Sequence, residues 1–138
     1  MRIHQLILAC CLLALTAGCR QPEPPAGSRE LPPGDAAAGK QVFMEMRCWA
    51  CHEIYGGDMP QPVASPAVPV YLGGNQIAAP DDLYLLRAIV EPSHELAPGW
   101  DEEMMTREGR SRMGDYGEAM TARQLFDLIA FLKSRYRQ

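Results

Sequence analysis

The sequence predicts an all-α domain with long irregular connections, and three features carry that reading. Three segments show helix caps or helical apolar spacing, two long irregular stretches separate them, and no run alternates apolar and polar residues as a strand would. The first helix is "DAAAGKQVFMEMR", residues 35–47, with Asp35 as N-cap and alanines supplying propensity, and it ends as the chain enters "CWACH" at 48–52. Residues 53–79 hold "GGDMPQPVASPAVPVYLGG", a proline- and glycine-rich loop long enough to require something to pack on. "PDDLYLLRAIVEP" is the second helix: Pro80 suits its first turn, Asp81 and Asp82 its positive end, and Pro92 stops it, with Leu83, Leu86 and Val90 on one face. An irregular stretch over about 93–120 carries four of the eight methionines. The final helix is the clearest: Thr121 and Gln124 form a capping box, and Leu125, Leu128, Ile129 and Leu132 follow the i, i+3, i+4, i+7 rule. Lys133, Arg135 and Arg137 suit its negative end.

Domain organisation follows from the N-terminal third. Residues 1–18, "MRIHQLILACCLLALTAG", combine Arg2, an apolar run from Leu6 to Leu15 and small residues before Cys19, the pattern of an export signal. That run is shorter than the roughly 20 residues of a permanent span. "LTAGC" at 15–19 resembles the lipobox of bacterial lipoproteins, which implies cleavage before Cys19 and acylation of its thiol; Thr16 stands where that pattern usually has leucine. The alternative is ordinary cleavage that leaves Cys19 as a free thiol. Residues 19–34, including "RQPEPPAGSRELPPG", are too proline-rich for a helix and read as a tether, able to hold a domain up to ~45 Å from an anchored lipid. The folded domain is then 35–138. The whole chain has 13 basic and 17 acidic side chains and a formal charge of −4, and loss of residues 1–18 removes Arg2 and no acid. This sign disfavours nucleic-acid binding.

Cys10 and Cys11 leave with the signal and Cys19 takes lipid, so Cys48 and Cys51 are the thiols of the folded part. A structural zinc needs four ligands, and beyond 48–52 the mature chain offers only His94 and the tethered Cys19. A thioredoxin-like disulfide would need a strand pattern before Cys48, and none precedes it. Covalent haem fits: thiols at positions three apart add to the two vinyl groups of one porphyrin, and His52 follows directly to meet the iron.

With Gly39, Phe43, "CWACH", "RMGDYGEAMTARQL" and "DLIAFLKS", residues 35–136 resemble a class I c-type cytochrome. The resemblance implies three main helices and long proline- and glycine-rich loops wrapped round one haem c, with the first and last helices crossing so that Gly39 and Phe43 meet Leu128 and Phe131. It implies Cys48 and Cys51 as thioether positions, His52 as the proximal iron ligand and Met113 as the distal one. The family usually has proline where Gly114 stands. Met120 is expected to make a hydrophobic contact, Met104 and Met105 lie in an acidic stretch, Met59 follows the attachment site too closely, and His94 is a loop side chain. A proline carbonyl is expected to accept from the proximal ring, with Pro66 and Pro69 as candidates. Trp49, Tyr71 and Trp100 are candidates to pack on the porphyrin.

The function so implied is single-electron transfer between redox protein partners of a bacterial cell envelope. The carrier is expected to be exported, anchored to the membrane through its N-terminal lipid and facing the periplasm or outer face. No catalytic residue, nucleic acid or small-molecule substrate is expected. One alternative is a dedicated cytochrome subunit of a periplasmic dehydrogenase or oxidase. Another is a haem sensor or enzyme with an open sixth position.

Overall fold

The computed structural model describes residues 31–56, 59–63, 70–74 and 79–136. The signal, Cys19 and most of the tether, and also Pro66 and Pro69, lie outside the described residues. The element order is α1 (Ala36–Glu45), a 3-10 turn (Cys48–Ala50), β1 (His52–Ile54), β2 (Val70–Leu72), α2 (Asp82–Val90), α3 (Glu102–Met105), β3 (Thr106–Arg107), β4 (Arg110–Ser111) and α4 (Ala122–Ser134).

The two long-range partners are α1 and α4, and the caps expected for both are present. Asp35 Oδ1 accepts from the amides of Ala37 and Ala38, at 2.7 and 3.2 Å. Thr121 accepts from the Gln124 amide while the Gln124 side chain accepts from the Thr121 amide, closing the capping box. The helices cross where α1 has no side chain: a Cβ on Gly39 would sit 1.9 Å from the carbonyl oxygen of Asp127 and 2.8 Å from Phe131 Cβ. Beside that contact Phe43 and Phe131 meet with ring centroids 5.6 Å apart, and Phe43 and Leu128 are the largest side chains removed from solvent.

A buried acid adds a polar clamp to this crossing. Asp127, among the apolar residues of α4, accepts from the Asp35 amide at 2.7 Å and lies 3.9 Å from Arg123. Arg123 also donates to the Pro33 carbonyl, so the chain entering α1 is strapped to the first half of α4. Gly34 lies in the same strap; a Cβ there would be 2.1 Å from the Phe126 carbonyl oxygen.

Three expectations need correction. Pro80 lies before the N-cap of α2, because Asp81 takes the cap by accepting from the Tyr84 amide. The fully buried face of α2 is Leu85 and Ile89; Leu86 and Val90 are only partly covered and Leu83 is exposed. Leu85 and Ile89 join the apolar cluster that holds Leu125, Leu128 and Leu132 of α4, and an ion pair of Asp82 with Lys133 also links the two helices. Short strands also exist where none was expected. β1 and β2 pair in parallel, which is possible because the 15-residue connection 55–69 supplies the crossover that parallel pairing needs. β3 and β4 form a hairpin around Glu108 and Gly109, whose positive φ values of 54° and 74° match a primed two-residue turn. Strands of two or three residues are too short to leave an alternating pattern.

Candidate haem site

The site begins where α1 ends. Met46 and Arg47 close the helix by donating to the carbonyls of Val42 and Met44, and Arg47 turns the chain with a left-handed φ of 57°. From there Cys48–Ala50 winds as a single 3-10 turn, with the Cys51 amide donating to the Cys48 carbonyl at 3.2 Å. The tight turn holds both thiols on one short arc with His52 directly after it. Cys48 is partly buried, Cys51 is exposed, and both are free thiols. Burial, assisted by the nearby Cys51, pushes the Cys48 thiol up to about 11, so it stays protonated at neutral pH.

His52 opens β1, and its register across the sheet decides its chemistry. Val70 is its partner residue, and His52 Nδ1 lies 3.1 Å from the Val70 carbonyl oxygen. A carbonyl only accepts, so Nδ1 carries the proton and Nε2 keeps a lone pair for a metal. Burial also pulls the His52 pKa below 6.5, against the opposing effect of the Val70 bond, and keeps the ring neutral. The acceptor is therefore Val70, and neither Pro66 nor Pro69: strand pairing places the residue just after Pro69 opposite His52. Nothing in a side chain marks a carbonyl for that role, so the proline-rich segment was legible and the position within it was not.

The surroundings are apolar. Cys48, Trp49, Met59, Leu72, Leu86, Val90, Tyr116 and Met120 are partly buried against the core. Met120 makes the expected hydrophobic contact, and Met59 packs there too. Tyr71 and Trp100 are largely exposed, at 59% and 45%, whereas Trp49 lies against the core. Tyr116 was not singled out by the sequence. Its amide donates to the Ile89 carbonyl, and its hydroxyl is held above its ordinary pKa of 10.0, first by burial and then by the two cysteines nearby.

Met113 is partly buried and does not join the apolar core. It follows the β3–β4 hairpin, and its amide donates to Ser111 Oγ at 3.2 Å. His94 and Met104 are exposed, and Met105 is partly buried in α3. Among the described residues no group of three or more His, Cys, Asp or Glu side chains is placed to hold a metal ion.

Two free thiols on one turn, a neutral imidazole with Nε2 available and a partly covered apolar wall together fit a covalently held porphyrin, and they define a haem-binding electron-transfer fold. Residues 36–135 match the profile of the family described as Cytochrome c, and the chain belongs to that family. Comparisons with curated proteins and with solved structures return no match. As a family member it carries one covalently attached haem c, and Cys48, Cys51 and His52 fit the haem-binding motif.

Proposed function

We infer that this chain is a lipid-anchored electron carrier of a bacterial cell envelope that passes single electrons between protein partners. Haem-based electron transfer follows from the family; the partners, the anchor and the residue assignments are the reading offered here. The observation that carries it is the His52–Val70 hydrogen bond, which fixes the tautomer and orientation of an imidazole directly after a paired-cysteine turn.

When bound, the haem iron supplies a one-electron couple. The residues of the chain do the rest. Cys48 and Cys51 would hold the haem as thioethers, each S–H adding across one vinyl group so that no oxidant is consumed. His52, through Nε2, and Met113, through its thioether, would be the residues that ligate the iron. A thioether favours the ferrous state and so raises the potential relative to a second histidine. An apolar environment for the haem would act in the same direction. Acylated Cys19 and the proline-rich tether keep the domain near the membrane while leaving it free to reach partners, which raises its effective concentration there. A dedicated subunit of a dehydrogenase or oxidase would use the same machinery and would be recognised by co-purification as a stable complex.

The test is the visible spectrum of the reduced protein before and after carbon monoxide. A closed carrier keeps its six-coordinate spectrum, and Met113→Ala lowers the potential and admits carbon monoxide while haem stays attached. Cys48→Ser with Cys51→Ser abolishes covalent attachment. Rapid carbon monoxide binding by the unaltered protein would instead support a sensor or enzyme with an open position. Palmitate labelling lost in Cys19→Ser checks the anchor.

A further inference from the structure

We propose that Ser111, itself held by Ser93, is the positioning residue that keeps Met113 in place for coordination. The proposal rests on the assignment of Met113 as distal ligand. Three observations carry it.

First, the backbone directly after Met113 has little to hold it. Gly114 follows where the family usually has a stiffening proline, and space around it is open: a Cβ there would meet only Tyr116 Cε2, at 3.9 Å. Gly114 brings the largest backbone freedom of any residue to the position beside the ligand. The next long-range anchor downstream is the Tyr116 amide on the Ile89 carbonyl.

Second, Ser111 makes two bonds in opposite senses. Its hydroxyl accepts from the Met113 amide at 3.2 Å, and its own amide donates to Ser93 Oγ at 3.0 Å. Ser93 lies just beyond α2, which packs on α4 through Leu85, Ile89 and the Asp82–Lys133 pair. The chain of contacts therefore runs from the helical core through Ser93 and Ser111 to the backbone of Met113.

Third, the hairpin is braced on its other side. Arg112 donates through its amide to the Met105 carbonyl at 2.9 Å and through Nε to the Met104 carbonyl at 2.8 Å. Ser111 is thus held from beyond the end of α2 and Arg112 from α3, and the Ser111 hydroxyl is the side-chain group that bonds the Met113 amide. The brace takes over the part that a proline after the methionine would play.

A methionine that leaves the iron transiently opens the position to carbon monoxide, so the binding rate reports the open population. Removing one hydrogen bond of net worth about 0.5–1.5 kcal/mol should raise that population and the rate roughly two- to thirteenfold. Ser111→Ala and Ser93→Ala holoproteins are compared with the unaltered protein for carbon monoxide association and for the ferric iron–thioether charge-transfer band. The rate is expected to rise and the band to weaken in both, with Ser111→Thr, which keeps the hydroxyl, returning both toward the original values. Global unfolding in denaturant, measured in parallel, should change far less than the rate. If both alanine variants match the unaltered protein while Met113→Ala loses the band, the positioning role is overturned and the ligand assignment stands. If the band survives Met113→Ala, both are overturned.

Discussion

At the scale of single residues, the turn into the haem-binding motif is made by a residue that does not favour it. Arg47 holds a φ of 57° with an exposed side chain, a conformation that costs an L-residue roughly 1–2 kcal/mol. Glycine removes that strain and gives back part of the gain through its larger unfolded-state entropy. Arg47→Gly is therefore expected to stabilise the holoprotein by about 0.5–1 kcal/mol in denaturant titrations, with its potential unchanged. Destabilisation would show that the guanidinium contributes something the geometry does not reveal. Sequence foretold the neighbours of Arg47 far better than Arg47 itself. "CWACH" states its chemistry through residue type and spacing, whereas a left-handed arginine and the Val70 carbonyl act through backbone conformation or a backbone polar group, which side-chain identity does not encode.

At the scale of elements, the α1–α4 crossing was legible through the family resemblance, and Gly39 supplies its physical reason by letting the two backbones approach. Gly39→Ala would drive a methyl group into the Asp127 carbonyl, a backbone atom that cannot step aside. Separating the helices by that amount should cost at least the 1–3 kcal/mol typical of overpacking, read as a lower unfolding midpoint and a lower yield of holoprotein. The Asp127 clamp was missed because an acid within "LFDLIAFL" looks like a solvated position, and only the tertiary partner, the Asp35 amide, explains its burial. Asp127→Asn keeps an oxygen for that amide and should lose less than about 1 kcal/mol, whereas Asp127→Ala leaves it unpaired and should lose about 1–3 kcal/mol. Equal losses in the two variants would mean that the carboxylate charge toward Arg123 matters more than the hydrogen bond. The short strands escaped notice for a different reason: their register is set by the loop crossover and by a turn at Glu108–Gly109 that lacks the usual Asn-Gly or Asp-Gly signal.

At the scale of the whole molecule, titratable groups set the pH range over which the fold is most stable. Burial lowers the His52 pKa in the folded protein below the 6.5 of the unfolded chain, so between those values the unfolded state binds more protons. Its contribution is fully present above 6.5 and is lost as pH falls through the window beneath. Coordination of Nε2 acts in the same sense, because a proton must compete for the same lone pair. On the alkaline side Tyr84 and Tyr116 are held above 10.0, chiefly by burial, so the folded state there binds more protons and stability falls as pH rises past that value. The urea midpoint of the holoprotein should therefore form a plateau between 6.5 and 10.0, with a descent on each side. The acid descent should begin just below 6.5. Tyr116→Phe with Tyr84→Phe should extend the alkaline end, because neither ring then has a proton to lose. A midpoint that stays flat from neutral pH down to the carboxylate range would mean that His52 takes up no proton on unfolding, and the account of that ring as neutral, buried and directed by Val70 would fail.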